Sequence, residues 1–302
     1  MMQKIVPNLW CNGNAEELTR FYLSVFPESE IKSTFYYPRN TEEGLADFQA
    51  DFAGKVLTID FEIYGYQFTA INAGAEFKAN PSISFFITCD SKTLQDELWQ
   101  KLTKGGMALM PLQAYPFSDY YGWVQDKFGF SWQLILDKDT GDPRPTVMPS
   151  FLFTGKNPQA EEAMKFYTSI FDNAQISSNL NYHQPGTELE GMIAFADFTL
   201  AGEWFAAMDG GAVHSFSFNE AISLLVNCAD QAEIDTLWEK LSAVPESEIC
   251  GWLKDKYGVS WQIAPQDWRL MFNSDGTVKA GPFKAMMQMG KLDIETLRKA
   301  GQ

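Results

Sequence analysis

The chain has 302 residues, about twice the length of an ordinary single domain, so its length predicts two domains. A composition of 45% hydrophobic and 15% aromatic residues excludes a disordered chain, and a formal net charge of −16 argues against nucleic acid and anionic membranes as partners. No segment has the apolar core of a signal peptide or the roughly 18 apolar residues of a transmembrane helix. The 4 cysteines form no C-x-x-C pair, which is typical of a reduced protein. We therefore expect a cytoplasmic protein.

The sequence contains an internal duplication. Four blocks of the first half recur in the same order in the second half. The paired blocks are residues 21–26 and 166–171, 61–74 and 198–211, 84–102 and 223–241, and 122–135 and 251–264. The second copy is shorter, mainly between Leu241 and Gly251. We therefore predict a first repeat at 1–140, a linker at 141–146 and a second repeat at 147–302 that ends in a helical tail.

Each repeat is predicted to contain two similar modules. In chain order, the first module opens with an apolar strand at 5–11, followed by a helix at which Asn14 and Glu17 have capping-box spacing. Two strand-like runs then flank a hairpin turn at Gly65. From residue 82 the order begins again with a strand, a helix capped by Ser91 and further strands. The pattern predicts strand–helix–three strands, twice in each repeat, with the apolar helix faces packed in the core.

The second repeat resembles a known family. Its blocks FTLAGEWFAAMDGG, FNEAISLLVNCADQAEIDTLWEKLS and CGWLKDKYGVSWQIAP are similar to the PhnB-like family, which is labelled 3-demethylubiquinone-9 3-methyltransferase and belongs to the glyoxalase/bleomycin-resistance/vicinal-oxygen-chelate superfamily. The first repeat departs from this pattern, with Tyr121 where the second repeat has Cys250. The resemblance implies an α+β fold of two tandem glyoxalase-like units. Each would contain paired βαβββ modules whose curved mixed sheet forms a cup for a small ligand.

The resemblance also bears on metal binding, because metal-dependent members of the superfamily carry His or Glu at four inward positions of the cup. Strand alternation allows the corresponding positions to be predicted here. They are Asn8, Phe68, Ser84 and Gln133 in the first repeat, and Ser150, Phe205, Ser223 and Gln262 in the second. None of these is a His, Glu, Asp or Cys, the side chains that a divalent ion requires. We therefore predict neither a metal site nor a cofactor.

Polar and aromatic side chains remain as candidate ligand contacts. We predict that Ser84, Gln133, Ser223, Gln262 and Asn72 contact the ligand.

Two tryptophans are further candidates. Trp123 and Trp252 each follow a glycine just before the last strand of their repeat. In that position the ring either contacts the ligand or packs in the core.

One carboxylate is a candidate catalytic residue. Asp209 stands where the first repeat has Asn72, and burial beside Phe205 would raise the pKa of its carboxyl, as in a general acid or base. The alternative is a turn residue that precedes Gly210.

Other reactive residue types offer little. His183 and His214 lie in turn-like segments as solvated loop residues, and Cys250 has no histidine near it in sequence. The methyltransferase activity that the family label suggests is the least favoured alternative, because the chain has no glycine-rich loop between a strand and a helix. The methionine-rich tail is predicted to serve packing or dimerisation.

Two classes of function stay open at this stage. The favoured one is a metal-free protein that binds a small organic molecule, and the alternative is a metal-dependent isomerase, lyase or dioxygenase. The acidic balance of the second repeat favours a neutral or cationic ligand. We expect the repeats to pair within one monomeric chain.

The two cups are not expected to be equivalent. The second repeat is the better candidate for a working site, because the first carries an extra segment whose aromatic residues would fold over its own cup. These residues are Tyr115, Phe117, Tyr120 and Tyr121.

Overall fold

The computed structural model describes residues 2–136, 144–157 and 159–302, so half of the predicted linker, residues 141–143, lies outside the described residues. The first module comprises β1 (Ile5–Cys11), α1 (Ala15–Val25), β2 (Ser29–Tyr36), β3 (Val56–Ile63) and β4 (Tyr66–Asn72). The second comprises β5 (Ile83–Cys89), α2 (Lys92–Leu102), β6 (Met107–Tyr115), β7 (Ser118–Gln125) and β8 (Ser131–Leu136).

The second repeat follows the same order with one strand fewer. The third module comprises β9 (Val147–Thr154), α3 (Ala160–Ile170), β10 (Gln175–Asn181), β11 (Ile193–Leu200) and β12 (Glu203–Gly211). The fourth comprises β13 (Ile222–Cys228), α4 (Gln231–Leu241), β14 (Trp252–Lys254) and β15 (Ser260–Pro265). A tail follows with α5 (Ala280–Met286) and α6 (Ile294–Ala300). The chain between α4 and β14 is too short for a counterpart of β6, which explains the missing strand.

The predicted helix starts are stabilised in different ways. Ser91 Oγ accepts a hydrogen bond from the Leu94 amide at 3.3 Å, as predicted for an N-cap. The Asn14 side chain makes no such bond at the start of α1. The hairpin at Gly65 is confirmed, since β3 and β4 pair from Ile63 opposite Tyr66 onward.

The strands form two mixed sheets, which confirms the α+β prediction. One sheet has the order β14-β15-β13-β1-β4-β3-β2, and the other has the order β10-β11-β12-β9-β5-β8-β7-β6. The first and fourth modules join through the antiparallel pair β1·β13, and the second and third join through β5·β9.

The compact units of the structure therefore differ from the two sequence repeats. The terminal unit consists of residues 1–77 and 219–302, and the central unit of residues 78–218. Each unit takes one module from each repeat, because the strands that join modules pair across the repeats. The repeat boundaries describe sequence similarity, whereas strand pairing determines the packed units.

Aromatic side chains form the core between each sheet and its helices. In the terminal unit, Tyr22 of α1 stacks on Phe61 of β3 at 6.0 Å between ring centroids. In the central unit, Phe151 of β9 lies 6.1 Å from Tyr167 of α3. Among the described residues, no helix is both long and apolar enough to cross a membrane.

Candidate functional site

A line of register partners crosses the central sheet on the face opposite its helices. The line consists of Ser131, Ser84, Ser150, Ala206, Asp197 and Ser178. We call it the central row and the face that carries it the central row face. Alternation along β9 places Ser150 on this face and its neighbour Phe151 against α3.

The terminal sheet carries an equivalent line, the terminal row, on its terminal row face. Its members are Ser260, Ser223, Asn8, Thr69, Asp60 and Ser33. Three serines and the aspartate are identical in the two repeats, and the sequence offset of each pair equals that of the nearest duplicated block. The pairs are Ser33 and Ser178, Asp60 and Asp197, Ser84 and Ser223, and Ser131 and Ser260. Aligning the repeats would therefore have revealed Asp60 and Asp197, which sequence reasoning missed.

The sequence-predicted glutamines join these rows by matching hydrogen bonds. Gln133 Nε2 donates to Ser84 Oγ at 2.7 Å, and Gln262 Nε2 donates to Ser223 Oγ at 2.9 Å. In the central unit a further hydrogen bond continues this series, because Tyr121 Oη donates to Gln133 Oε1 at 2.5 Å. Burial raises the pKa of the Tyr121 phenol well above its ordinary value, so this group stays a neutral donor.

The structure groups the predicted ligand-contact residues differently from the sequence prediction. Ser84 and Gln133 lie with Ser150 in the central unit, although the sequence assigned Ser150 to the other cup. Asn8 lies with Ser223 and Gln262 in the terminal unit.

The central row face is lined by aromatic and apolar side chains. Phe86, Tyr121, Met148 and Ala206 form a buried cluster beside the row. Half-buried side chains pack against this cluster as a wall, and they are Met110, Tyr115, Trp123, Ile135, Phe195 and Trp204.

The aromatic residues of the extra segment in the first repeat contribute to this wall. The rings of Tyr115 and Phe117 stack at 5.5 Å, and each meets the Tyr121 ring edge-on. Tyr120 instead points to α2, where its hydroxyl donates to Asp96.

The terminal row face is covered by the C-terminal tail. Leu292 is buried against Val6, Leu225 and Ala264, and Met286 and Met289 pack on the same cluster. The Cys250 amide donates to the Met289 carbonyl at 2.7 Å and fixes the tail to the turn before β14. The chain's own side chains therefore occupy this face.

Phe68 and Phe205 are not inward residues of a cup, contrary to expectation. Both are fully buried on the helix side of their sheets. Phe68 stacks on Phe61 at 5.4 Å, and Phe205 stacks on Phe151 at 5.9 Å. The core between the sheet and its helices is the apolar environment that a bulky aromatic side chain on an inner strand requires.

Asn72 and Asp209 also lie on the helix side, away from both rows. Asn72 Oδ1 accepts a hydrogen bond from the Ala15 amide at 2.9 Å. Asp209 Oδ1 accepts from the amides of Gln159 and Ala160 at 2.9 and 3.0 Å. The two side chains hold the N-termini of α1 and α3, which is a structural role rather than the predicted ligand contact or acid–base role.

The two predicted tryptophans both lie on row faces but have different neighbours. Trp123 belongs to the aromatic wall of the central unit, and its Nε1 is buried without a hydrogen-bond partner among the described residues. Trp252 meets Trp10 edge-on at 5.9 Å in the terminal unit.

The family block CGWLKDKYGVSWQIAP and its counterpart in the first repeat share a structural feature. In DKFGFSWQ, the Asp126 carboxylate accepts hydrogen bonds from two amides of its own turn and from Trp132 Nε1 at 3.0 Å. Asp255 makes the matching bond to Trp261 Nε1 at 2.8 Å in DKYGVSWQ. The block therefore fixes the turn and the last strand.

The side chains on the rows do not fit a divalent metal ion. Of the positions implied by the superfamily, those on the row faces carry neutral hydroxyl and amide groups, and Ser84 and Ser223 already accept bonds from glutamines. No group of three His, Cys, Asp or Glu side chains comes together within residues 2–136, 144–157 and 159–302. We therefore derive no step through a metal ion.

The other reactive side chains have shifted pKa values. Desolvation lowers the pKa of His214, and burial raises the pKa of the Cys250 thiol to about 11, so this thiol is unreactive at neutral pH.

A separate cavity of about 560 Å³ lies in the terminal unit, where β13 and β15 end at Cys228 and Pro265. It is flanked by Arg269 and Arg298, and Arg269 pairs with Asp267 at 2.7 Å. Five residues of strand, about 16 Å, separate it from the terminal row, so it does not belong to that face.

The chain is similar to several solved structures. It is 38% identical to the PhnB protein from Bacillus cereus, over 45% of this chain and 100% of that chain, with a TM-score of 0.39. Protein PA1353 from Pseudomonas aeruginosa is 21% identical, over 46% of this chain and 100% of that chain, with a TM-score of 0.39.

Glyoxalase I from Zea mays matches a larger part of the chain. It is 11% identical over 87% of this chain and 92% of that chain, and its TM-score of 0.51 supports the same two-unit glyoxalase fold. Among curated proteins, no sequence matches this chain. The model of the family described as 3-demethylubiquinone-9 3-methyltransferase matches residues 3–135 and again residues 145–264. The chain is therefore a member of this PhnB-like family, with the family unit present twice.

Proposed function

We propose that this protein binds a small organic molecule on the central row face, without a resident metal ion. The observation that carries the proposal is the wall of half-buried aromatic side chains beside a buried row of hydroxyls. Small-molecule sites typically combine such an apolar lining with a few polar groups that orient the ligand.

Binding requires the wall to move. Ser84 and Ser150 are buried beneath it, whereas Tyr115, Trp123 and Trp204 are half-buried. Rotamer changes of partly exposed side chains take picoseconds to nanoseconds, so such rings can turn aside as a ligand enters.

The terminal row face is the weaker candidate because the tail covers it. This differs from the expectation that the second sequence repeat holds the better site. The central unit combines the second and third modules, so each repeat supplies half of the proposed site.

Sequestration fits the site better than catalysis. The central row contains one carboxylate, Asp197, and Arg144 Nη1 pairs with it at 3.1 Å. A single paired carboxylate provides neither a metal site nor an acid–base pair. Methyl transfer would also need a nucleoside cofactor site, for which neither the sequence nor the row faces offer a glycine-rich loop.

The cellular location, the charge of the ligand and the oligomeric state are also part of the proposal. We propose a cytoplasmic protein without nucleic-acid partners that takes a neutral or cationic ligand, because the formal net charge is −16. Each sheet already joins modules of both repeats within one chain, which favours a monomer with a mass of 34.1 kDa in light scattering.

The proposal is tested by calorimetric titration with 2-acetylnaphthalene, a flat ligand of the size of the wall rings. Trp204→Leu should weaken binding about tenfold, because it removes one aromatic contact of the wall. Trp10→Leu is the matched control, since it changes a half-buried tryptophan of the terminal unit and should leave binding unchanged. Absence of binding, or equal losses from both variants, would contradict the site. Native mass spectrometry of protein from its own host would then show whether a natural ligand copurifies as added mass.

A further inference from the structure

The central row face contains buried hydrogen-bonding groups that the fold itself does not satisfy. Ser150 Oγ, Ser131 Oγ and Trp123 Nε1 are buried without a hydrogen-bond partner among the described residues. Ser84 Oγ accepts its bond from Gln133 Nε2, which leaves the hydroxyl proton of Ser84 to be donated elsewhere. An indole N–H can only donate and each of the three hydroxyls carries one proton, so an acceptor atom of a ligand can satisfy several of these groups.

The two units share the arrangement at Ser84 and Ser223, each of which accepts from a glutamine, and they differ at Ser131, Ser150 and Trp123. In the terminal row, the unpartnered buried atom among the described residues is Asn8 Oδ1, which is an acceptor. Ser260 occupies the position of Ser131, yet its hydroxyl is not among the unpartnered buried atoms of the described residues. The unit with the aromatic wall is therefore the one whose row face carries the unpartnered hydroxyls and the unpartnered indole N–H among the described residues. A buried donor without a partner destabilises the folded state, so its retention beside a candidate site points to a ligand that accepts from it.

Two of these donors have the spacing needed to share one atom. Ser84 and Ser150 are direct register partners on antiparallel strands, so their Cα atoms lie about 5 Å apart and their side chains project to the same face. An oxygen between the two hydroxyls can accept from both. The wall rings beside them offer flat apolar surfaces to the rest of the ligand.

We infer that the central row face recognises an aromatic or conjugated carbonyl compound, whose oxygen accepts hydrogen bonds from the Ser84 and Ser150 hydroxyls while its ring packs against the aromatic wall. This inference rests on the proposed function. It adds to it the chemical class of the ligand and the two residues that select it.

The test compares two probes of the same shape. In 2-acetylnaphthalene a carbonyl oxygen stands where 2-isopropenylnaphthalene has a methylene group, so the two probes differ in the acceptor. The wild-type protein should bind the ketone about tenfold more tightly, the scale of one to two hydrogen bonds to a buried donor. Ser150→Ala should reduce this preference to about twofold or less.

The thermal stability of the Ser150 variant distinguishes a role of this hydroxyl in ligand recognition from a role in the fold. Ser150→Ala should leave the melting temperature unchanged or raise it, because the variant removes an unpaired buried hydroxyl. Asn8→Ala, the equivalent change in the terminal row, is the control and should preserve the preference for the ketone.

The possible results distinguish a failure of the inference from a failure of the proposed function. Equal binding of both probes would overturn the inference and leave the proposed function standing, with the hydroxyls satisfied by water. An unchanged preference in Ser150→Ala would also overturn it. If neither probe binds, the proposed function fails and the inference fails with it.

Discussion

Asn72 and Asp209 occupy the same position in the two repeats, and the backbone group that faces each of them explains the difference. Asn72 Nδ2 donates to the Val56 carbonyl at 2.9 Å. Asp209 Oδ2 accepts from the Ile193 amide at 3.0 Å, and Ile193 stands where the first repeat has Val56. A carbonyl requires a donor and an amide requires an acceptor, so each side chain matches its neighbour.

Exchanging these two residues should therefore reduce stability without changing ligand binding. Asp209→Asn loses charge-assisted bonds to the start of α3 and should cost about 2 kcal/mol in unfolding free energy. Asn72→Asp places a carboxylate against the Val56 carbonyl and should cost about as much. Urea unfolding measures both values. A loss of 2-acetylnaphthalene binding by folded Asp209→Asn would restore its predicted role in the site.

Asp60 of the terminal row provides a test of pH dependence. Burial raises the pKa of its carboxyl, and hydrogen bonds from Ser33 and Thr69 oppose this shift. The folded state therefore binds the proton more tightly than the unfolded chain does. The contribution of Asp60 to stability is most favourable at low pH and declines as pH rises above the ordinary pKa of about 4.

Asp60→Asn should remove this decline. Relative to the wild type, the variant should gain stability as the pH rises from about 4 to 7. Melting temperatures of both proteins across that range measure the difference. A wild type that gains stability over the variant with rising pH would show that the hydroxyl bonds outweigh burial.

At the scale of elements, the tail acts as a fixed cover of the terminal row face. Its two helices pack so closely that a Cβ added at Gly281 would lie 1.9 Å from the Ala300 carbonyl oxygen. The atoms that face each other here belong to the backbone of both helices, so no flexible side chain can move aside. The α5·α6 contact therefore depends on glycine at this position.

Gly281→Ala should therefore loosen the tail. We expect a loss of about 1–3 kcal/mol in unfolding free energy and faster proteolytic cleavage within residues 266–302. Gly290→Ala is the control, because a Cβ there would lie at an ordinary 3.5 Å from its nearest neighbour, the Glu248 carbonyl oxygen. Equal cleavage rates of the Gly281 variant and the wild type would show that the tail packs independently of this contact.

The sequence was sufficient to predict most of the elements but not the partners of the modules. Helix faces, the Ser91 cap and the Gly65 hairpin depend on local spacing, and each was predicted correctly. Which module completes which sheet depends on long-range strand pairing, so Ser150 was assigned to the wrong neighbours. The side of Phe68 and Phe205 was misjudged because period-two alternation gives two faces without saying which one the helices cover.

At the scale of the whole molecule, the chemistry of both rows predicts a protein that does not need a metal ion. Protein dialysed against excess Ni, Mn or Zn and then freed of unbound ion should hold less than one equivalent per chain. Its melting temperature should not change on chelation, because an ion bound to the folded state alone would raise stability by mass action. Stoichiometric metal with a chelator-sensitive melting temperature would favour the metal-dependent enzyme instead.

The central claim is that duplication has left one binding face in use, on the central unit, while the tail fills the other. Counting the molecules of 2-acetylnaphthalene bound per chain by calorimetry at saturation tests it most directly. The account predicts one molecule per chain, lost or weakened in Trp204→Leu. Two equivalent molecules per chain, or one that is unaffected by Trp204→Leu, would contradict it.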